Sequence, residues 1–484
     1  MQTMKHEIKA PKGAMEVINR LEKSGHEAWL VGGCVRDLLM GLNPKDWDVT
    51  TSATPSEVKA CFGGKRLIET GIKHGTLTVV SCGLPIEVTT YRTDGDYMDN
   101  RRPESVTFTK DLRGDLSRRD FTINAMAWNP ARGLVDEWGG MLDLEAGLLR
   151  AIGNPDERLH EDGLRIMRAL RFASTLGFTV DEGLSGSLRR NRLLLENISA
   201  ERIAAELMKA LAGPEIQEIL MGYPEIFSVF IPEIRGAVGF EQISPHHDRD
   251  LWAHTATSVA GAIPDPTIRL TMLFHDLGKP AAASMVTKGG GEDKGDGSFV
   301  SGSGHIPGHE DKGDDSFVSG SGHIPGHEKI GAKIAFNRLK AMKFDNAAIE
   351  TVTTLIRWHD VIIYPEKIPK WLNILGEGKL EQLFEVKLAD AAAHKPSCQE
   401  KRIEEIAILR DEVAKVLAEG PCFSLKELSV SGADLIAAGI PEGKAVGETL
   451  NCLLEEVMER RLPNERAALL KAAKEPLCRN AVCK

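Results

Sequence analysis

Residues 28–49, AWLVGGCVRDLLMGLNPKDWDV, constrain the fold of this chain more than any other stretch. The apolar start, Ala28–Val31, predicts a short buried strand, and Gly32 and Gly33 follow it directly. The amphipathic run behind them predicts a helix. A strand, a glycine turn and a helix start form a cradle for an anion, because free backbone N–H groups at a helix N-terminus point at a phosphate. Arg36 can add a two-point phosphate contact.

Two carboxylates close the same stretch. Asp46 and Asp48 are two positions apart, and on a strand such positions share a face. Both side chains can then hold one Mg²⁺, which in turn bridges phosphates. A phosphate cradle followed by paired carboxylates predicts phosphoryl or nucleotidyl transfer. The alternative is a buried strand–turn–helix followed by a solvated acidic turn.

The bulk properties set the broad class. At 484 residues the chain should hold several domains. No apolar run approaches the ~20 residues of a membrane span, and the first residues lack the apolar core of a signal peptide. The eight cysteines are scattered without a C-x-x-C pair, which favours a reducing cytoplasm. A net charge of −10 excludes nonspecific affinity for nucleic acid over the whole surface, but it leaves room for a local basic surface.

Further candidate residues follow in the first 130 positions. Runs at 66–69, 76–81 and 86–91 are rich in β-branched residues and predict strands of a small α/β sheet. Glu87, on the last of them, is either a third carboxylate of the metal site or an ordinary exposed residue. Residues 115–128 predict a helix. Arg119, Asp120 and Asn124 interrupt its apolar face, which favours a role in a site over a capped surface helix.

A charged stripe marks the next segment. In residues 161–172, Asp162, Arg165, Arg168 and Arg171 recur every third position and predict a slowly drifting stripe on one helix. Spacing alone favours a solvated face with i,i+3 ion pairs. The alternative is that the carboxylate and the guanidinium groups present fixed acceptors and donors to a nucleobase edge.

Histidine is concentrated in the second half, where ten of the fourteen lie between His246 and His394. Each one alone is more typical of a satisfied core histidine. The ordered set on apolar helices predicts a divalent-metal phosphohydrolase site, formed by His254, His275, Asp276, His327, His359 and Asp390. Two 18-residue copies, 292–309 and 310–327, form a duplicated loop that offers either His309 or His327. We favour His327, because a helical pattern continues directly from it.

These motifs, in this order, resemble the class II tRNA nucleotidyltransferase (CCA-adding enzyme) and bacterial poly(A) polymerase family. GGCVRD with DWD is similar to the first family motif, and RRDFTINAMAW to the second. VDEWGGMLDLEAGLLR, EDGLRIMRALRFASTLGF and ERIAAEL resemble the third, fourth and fifth. The middle of the chain resembles an HD-type phosphohydrolase domain, and SVSGADLIAAGIPEGKAVGETL resembles the tail of CCA-adding enzymes.

The resemblance implies an α+β fold. A small mixed-sheet nucleotidyltransferase head would occupy residues 1–150, and an elongated all-α neck with a nucleotide-selecting helix and an RNA-binding surface would occupy 151–215. An HD-like helical body would follow at 216–400 and a helical tRNA-binding tail at 401–484. The duplicated loop at 292–327 departs from the family pattern. It leaves the geometry of the predicted hydrolase site open, but it does not affect what the resemblance implies for the head.

It also implies an activity and a site. The chain would add C, C and A to the tRNA 3′ end from CTP and ATP, without a nucleic-acid template, and release pyrophosphate. Asp46 and Asp48 would hold Mg²⁺, and Glu87 is grouped with them as catalytic. The nucleotide-binding residues would be Gly32, Gly33, Arg36, Arg119, Asp120, Asn124, Glu161, Asp162, Arg165, Arg168 and Arg171. A second divalent metal is expected in the HD-type segment.

Alternatives remain open at this point. Residues 69–76, ETGIKHGT, favour CCA addition over poly(A) synthesis, and the intact loop 92–114 with DNRRP argues against an enzyme that adds only the two C residues. An A-adding enzyme, a poly(A) polymerase, or a metal-dependent HD phosphohydrolase as the main activity stay possible. The expected partners are tRNA, CTP and ATP, with no membrane, and the oligomeric state is open.

Overall fold

The computed structural model of the protein describes residues 8–64, 66–69, 71–95, 106–242, 249–288, 324–420, 422–459 and 461–474. It confirms the predicted α+β fold, with a mixed sheet in the N-terminal part and helices after it. The chain forms two compact units. The first ends at Arg235 and also takes in Lys340–Phe344, and the second contains the remainder from Gly236. The four predicted segments stay a prediction. Within the described ranges, every helix is too short or too polar to cross a lipid bilayer.

The N-terminal part of the first unit alternates strands and helices. Its elements are α1 Lys12–Lys23, β1 Ala28–Val31, α2 Gly33–Leu39, β2 Trp47–Thr51, α3 Pro55–Cys61, β3 Leu67–Ile68, β4 Thr76–Ser81, β5 Leu84–Thr90, β6 Arg92–Asp94, β7 Val106–Phe108, α4 Leu112–Ser117, β8 Ala127–Asn129, β9 Gly133–Val135, α5 Gly140–Ala146 and β10 Leu148–Leu149. Short 3₁₀ turns lie at Ile72–His74 and Thr122–Asn124.

Seven of these strands form one sheet in the order β3-β4-β5-β2-β1-β8-β9. Strands β2 and β5 run parallel, and the other neighbours run antiparallel. Helix α1 buries Ala14, Val17, Ile18 and Leu21 completely, as its helical spacing predicts. Helix α3 begins with a capping box between Thr54 and Glu57. Local sequence signals therefore account for most of the sheet and its cover.

The predicted helix over residues 115–128 is wrong. Helix α4 ends at Ser117, a 3₁₀ turn follows at Thr122–Asn124, and β8 then pairs with β1. The Asp120 carboxylate accepts a hydrogen bond from the backbone N–H of Phe121, 2.9 Å away, which competes with helical bonding. Strand pairing with a buried β1 thus overrides the local helical pattern.

The rest of the first unit is helical apart from one short strand, which pairs with β10. Its elements are α6 Pro155–Glu161, α7 Leu164–Leu176, β11 Thr179–Val180, α8 Glu182–Arg190, a 3₁₀ turn at Arg192–Asn197, α9 Ala200–Leu211, α10 Ile216–Gly222 and α11 Pro224–Phe227. Helix α12, Ile234–Ala237, begins in the first unit and ends in the second. The continuous helix predicted over 161–172 is wrong at its start. Asp162 is extended (φ −140°, ψ 103°) and separates α6 from α7. A Cβ at Gly163 would lie 3.0 Å from the Leu194 carbonyl oxygen, so close packing favours glycine there.

The described part of the second unit is helical throughout. Its elements are α13 Leu251–Gly261, α14 Pro266–Phe274, α15 Lys279–Lys288, α16 His327–Ala341, α17 Asn346–Trp358, a 3₁₀ turn at Pro365–Lys367, α18 Ile368–Ala391, α19 Pro396–Glu419, α20 Gly432–Ala437, α21 Lys444–Met458 and α22 Arg466–Ala472. Gly376 (φ +72°) kinks α18. His309 and most of the duplicated loop lie outside the described residues, as does the DNRRP segment.

Candidate nucleotide site and histidine centre

Three carboxylates lie close together at the start of β2, in the interior of the sheet. Asp48 lies on β2 directly beside Glu87 on the parallel strand β5, so both side chains leave the same face of the sheet. Asp46 precedes β2 by one residue and is exposed. Burial raises the pKa of Asp48 to about 6, Arg119 opposes that rise, and Glu87 and Asp46 add to it. Carboxylate oxygens in such a cluster are the ligands that Mg²⁺ prefers.

The glycine turn between β1 and α2 brings the chain close to these groups. Gly32 has a φ of +76°, which favours glycine. A Cβ at this position would lie 3.1 Å from Nη1 of Arg119 and 3.9 Å from Oδ2 of Asp48. Gly33 begins α2. The turn therefore places backbone of the predicted phosphate cradle close to both the Asp48 carboxylate and the Arg119 guanidinium.

Arg36 links this turn to the second predicted motif. Its buried guanidinium donates hydrogen bonds to Oδ1 of Asp37 (2.9 and 2.6 Å) and to Oδ1 of Asn124 (2.7 Å). Asn124 in turn donates to Oδ1 of Asp120 at 3.1 Å. Asp120 and Asn124 are thus in contact across a 3₁₀ turn and not along an α-helix.

Asp120 is the centre of a buried charge network. Its Oδ2 accepts from Nε and Nη2 of Arg168 at 2.8 and 2.5 Å. Burial alone would raise the pKa of Asp120, but Arg168 and Arg165 outweigh it and hold that pKa below its usual value. A continuous path of side-chain hydrogen bonds therefore joins Arg36 beside the glycine turn to Arg168 on α7.

One aromatic ring supports the arginines of this surface. The guanidinium carbons of Arg36, Arg168 and Arg171 lie 5.0, 5.4 and 3.9 Å from the ring centroid of Phe172, within cation–π range. Nε of Arg171 also lies 2.8 Å from Oε2 of the buried Glu206 on α9. The arginines are held in place by packing as well as by charge.

The remaining residues of the predicted stripe are paired within the protein. Asp162 forms an ion pair with Arg202, with Oδ2 and Nη2 3.0 Å apart. Arg165 is buried, and it donates to Oε2 of Glu161 (2.6 Å) and to the carbonyl oxygens of Arg158 and Arg118. The structure therefore brings the predicted nucleotide residues into one region, with their charged groups engaged by protein partners.

Sequence reasoning missed four residues of this region: Asp115, Phe172, Arg202 and Glu206. The fully buried Asp115 accepts from Arg118 (2.8 Å) and Arg119 (3.4 Å), so it fixes the arginine beside Asp48. The i, i+3 and i+4 spacing within DLSRRD was a usable signal for that cluster. Nothing local in the sequence links Arg202 or Glu206 to α7, which is distant in sequence.

In the second unit, all six predicted histidine and aspartate residues converge. His254 lies on α13, His275 and Asp276 follow α14, His327 begins α16, His359 follows α17, and Asp390 lies near the end of α18. Two groups have their ligand atoms within 4.8 Å of one another and can hold a metal ion: His254, His275 and Asp390, and Asp276, His327 and His359. Burial lowers the pKa of His275, but Asp276 and Asp390 outweigh it and raise that pKa to about 10. The centre attracts positive charge.

Comparison with known proteins identifies the family. A family model described as "Poly A polymerase head domain" matches residues 28–150. The whole chain is similar to the CCA-adding enzyme of Lacticaseibacillus paracasei, with 32% identity over 465 residues that make up 96% of each chain. The chain belongs to the family of CCA-adding enzymes. Further models match residues 177–236 ("Probable RNA and SrmB- binding site of polymerase A") and 329–473 (tRNA nucleotidyltransferase domain 2).

Other relatives agree with this family. The CCA-adding enzyme of Geobacillus kaustophilus is 48% identical over 207 residues, 43% of this chain and 51% of that one. Among solved structures, the Bacillus stearothermophilus CCA-adding enzyme in complex with CTP is 27% identical, with a TM-score of 0.69 over 98% of this chain and 100% of that one. The HD-type interpretation of the middle segment stays a prediction.

Proposed function

We propose that this protein adds C, C and A to the 3′ end of tRNA from CTP and ATP, without a nucleic-acid template. The observation that carries the proposal is the in-register pair of Asp48 and Glu87, with Asp46 beside them and the Gly32 turn against them. Membership of the CCA-adding family over 96% of the chain supports it. The tRNA 3′-hydroxyl attacks the α-phosphate of the nucleotide. A new P–O bond forms, the bond to the β-phosphate breaks, and pyrophosphate leaves.

We assign the metal site of this reaction to Asp46 and Asp48, with Mg²⁺ as the cation. Bound Mg²⁺ would lower the pKa of the attacking hydroxyl and offset charge on the phosphates. Glu87 either completes this site or accepts the hydroxyl proton. Gly32, Gly33 and Arg36 bind the triphosphate, and Asp115 holds Arg119 towards the same phosphates.

We assign base selection to Asp162 and Arg165, with Arg168 and Arg171 in a supporting role. A carboxylate accepts from an exocyclic amine, and a guanidinium donates to ring acceptors. Asp162 is engaged by Arg202, and Arg165 by Glu161. An incoming base must therefore replace those partners, so selection is an exchange of hydrogen bonds at α7. Glu161, Asp120 and Asn124 position these groups.

The wider proposals follow from the same activity. The tRNA lies on the helical segments from residue 150 onward and is held mainly by shape and backbone. We place the protein in the cytoplasm. An A-adding enzyme and a poly(A) polymerase use the same chemistry at the same site, so the products decide among the three.

A second candidate function is metal-dependent phosphoester hydrolysis in the second unit. It is favoured by the convergence of six histidine and aspartate residues in one buried cluster. The test is a phosphodiesterase assay with Mn²⁺, Co²⁺ or Ni²⁺ on the parent and on Asp276→Ala. Hydrolysis by the parent that is lost in the variant supports this function. If the parent hydrolyses no phosphodiester with any of these metals, this second candidate function is excluded.

The main proposal is tested by incubating the purified protein with tRNA that lacks CCA, and with CTP, ATP or both. Addition of two C residues with CTP alone, and of one A after them when ATP is present, is the expected pattern. An A-adding enzyme would extend only tRNA that already ends in CC. A poly(A) polymerase would make long A tails from ATP alone.

A further inference from the structure

A groove on the surface of the second unit belongs to neither of the sites described above. Residues between Lys329 and Asn337 of α16 line it on one side, and Thr353 and Arg357 of α17 line it on the other. We call it the α16–α17 groove. Its volume is about 520 Å³, within the ~300–1,000 Å³ range of small-molecule sites. The groove is therefore large enough to take in a flat ring system of a ligand.

Helix α16 presents two lysines and an aromatic ring to the groove from one face. Lys329, Lys333 and Phe336 are four and three positions apart, so their side chains follow one another along the helix. All three are exposed, and 45% of the Phe336 surface is accessible. An exposed ring flanked by cations offers a flat apolar face and positive charge to the same ligand.

Helix α17 adds a third cation. Arg357 is exposed in its last turn, and Thr353 lies one turn earlier on the same face. The acidic residue that precedes them on this face, Glu350, accepts a hydrogen bond from Nζ of Lys379 at 2.6 Å. Its charge is therefore offset within the protein. The three charged residues that line the groove are all positive.

The charge of the groove limits the kind of ligand that it can take. The chain as a whole has a net charge of −10, so a groove lined by cations alone is a local departure from the rest of the molecule. A ligand with both negative charge and a flat apolar part is complementary to it. RNA has both parts: its phosphates pair with lysine and arginine, and an unpaired base stacks on an aromatic side chain. Bases within a stem already stack on each other, so only an unpaired nucleotide fits.

We propose that the α16–α17 groove binds an unpaired nucleotide of tRNA, with the base stacked on Phe336 and the neighbouring phosphates paired with the three cations. This inference rests on the proposed function, which supplies tRNA as the substrate. The reacting 3′ end belongs beside Asp48 in the first unit, so the bound nucleotide comes from a loop of the tRNA. The groove then recognises a base of the tRNA, in addition to its shape and backbone.

The test measures binding of tRNA that lacks CCA to the full chain, without CTP or ATP, so that it does not depend on the reaction. Fluorescence anisotropy gives the Kd at several salt concentrations. The variants are Phe336→Ala, Phe336→Trp, Lys333→Ala and Lys333→Arg. Ile263→Ala is the matched control, because Ile263 is 44% exposed in the same unit. A blunt RNA duplex, which has no unpaired base, is the second probe.

We expect Phe336→Ala to raise the Kd for tRNA about tenfold without changing its salt dependence, because base stacking involves no counterion. Phe336→Trp and Ile263→Ala should match the parent, and Phe336→Ala should bind the duplex as the parent does. Lys333→Ala should reduce the slope of log affinity against log salt by about 1, and Lys333→Arg should retain the slope of the parent.

The reaction kinetics give an independent readout. In Phe336→Ala, the KM for tRNA should rise about tenfold, while kcat and the KM for CTP stay unchanged. Circular dichroism shows whether each variant is folded. A kcat that falls with an unchanged KM for tRNA would contradict the proposal.

Three outcomes separate this inference from its alternatives. Equal tRNA affinity of the parent, Phe336→Ala and Lys333→Ala would overturn it, even in a protein that adds CCA. A Kd that depends on Phe336 in a protein that does not add CCA would support the groove and contradict the proposed function. A Phe336→Ala protein that binds tRNA normally but sediments as a smaller species would assign the groove to a second copy of the chain, and would overturn the RNA assignment.

Discussion

The nucleotide site of the first unit and the histidine centre of the second both gather buried charged groups, but their pairing differs. Around the nucleotide site, carboxylates face guanidinium groups, as in Asp120 with Arg168 and Asp162 with Arg202. In the histidine centre, Nε2 of His327 and Nε2 of His359 lie 3.3 Å apart. Nδ1 of each ring donates to a backbone carbonyl oxygen, so in the neutral rings the two facing Nε2 atoms are both acceptors. The first arrangement is electrostatically satisfied without a ligand. The second requires added positive charge.

This difference suggests different ways of using a ligand. A site whose charges are already paired can exchange those pairs for one nucleotide and then another at little cost. Successive use of CTP and ATP needs such exchange. A centre of opposed acceptors, each fixed by a backbone carbonyl, gains most from a cation that stays bound. Asp46 and Glu87 of the nucleotide site are also exposed, which suits a cation that arrives with its nucleotide.

The largest expected effect is on the carboxylates of the nucleotide site. Asp48→Ala should lower the rate of CMP incorporation into tRNA lacking CCA by about 10³-fold, because a metal contributes several kcal/mol of charge stabilisation. Single-turnover incorporation measures this. Glu145→Ala, an exposed glutamate of the same domain, is the matched control. An Asp48→Ala protein that retains a tenth of the parent rate would contradict the assignment of the metal site to Asp46 and Asp48.

The paired network gives the next effect. Asp120→Ala leaves Arg168 and Asn124 without their shared partner, so kcat/KM for CTP should fall by about 10²-fold. The free energy of unfolding should fall by about 2–3 kcal/mol, less than for a fully buried pair because the Arg168 side chain is 33% exposed. Asp120→Asn keeps the size of the side chain and should be less affected in stability. Loss of stability with unchanged kcat/KM would show a purely structural role.

The pKa of Asp48 predicts a pH dependence for the nucleotide site. With a pKa of about 6, Asp48 is protonated at pH 5 and cannot bind a cation. Mg²⁺ affinity should therefore fall by about tenfold between pH 7 and pH 5, as measured by calorimetry. Asp48→Asn should abolish this dependence. An affinity that is constant over this range in the parent would contradict the assignment.

The raised pKa of Asp48 also makes the free energy of unfolding depend on pH. Its pKa in the folded state lies above its value of 3.8 in an unfolded chain. Its contribution to stability is therefore fully present at low pH and is lost as the pH rises through about 6. Mg²⁺ should restore it. Denaturant titrations of the parent and of Asp48→Asn, from pH 4.5 to 7.5, measure the difference.

The smallest effect is expected at Arg202. Arg202→Ala releases the Asp162 carboxylate, so misincorporation of UMP and GMP relative to CMP should rise about fivefold while the rate with CTP changes little. Competition between labelled nucleotides measures this ratio. Arg192→Ala, on the 3₁₀ turn before α9, is a suitable control. An unchanged ratio would place base selection elsewhere.

How far the sequence predicts this molecule depends on the range of the forces involved. Strands β1 and β4 were predicted correctly, because apolar runs and runs of β-branched residues are local signals. The helix over 115–128 failed because pairing of β8 with β1 decides that segment. The break at Asp162 depends on the approach of Gly163 to Leu194, and no sequence pattern reports that distance.

The candidate sites show the same contrast between local and long-range signals. Gly32, Asp46 and Asp48 are close in sequence, so their order alone predicts a phosphate and metal site. The histidine set was recognisable as a group, but its division into two groups arises from the packing of α13, α14, α17 and α18. Arg202 and Glu206 reach α7 only because α9 packs on it. Such long-range pairs carry no local signal.

We propose that this protein adds both C and A to tRNA without a nucleic-acid template. This proposal is tested most directly by sequencing the products made from tRNA lacking CCA in the presence of CTP and ATP together. We expect tRNA that ends in CCA, with addition stopping there. Products that end in a single added A, or in long A tails, would contradict it.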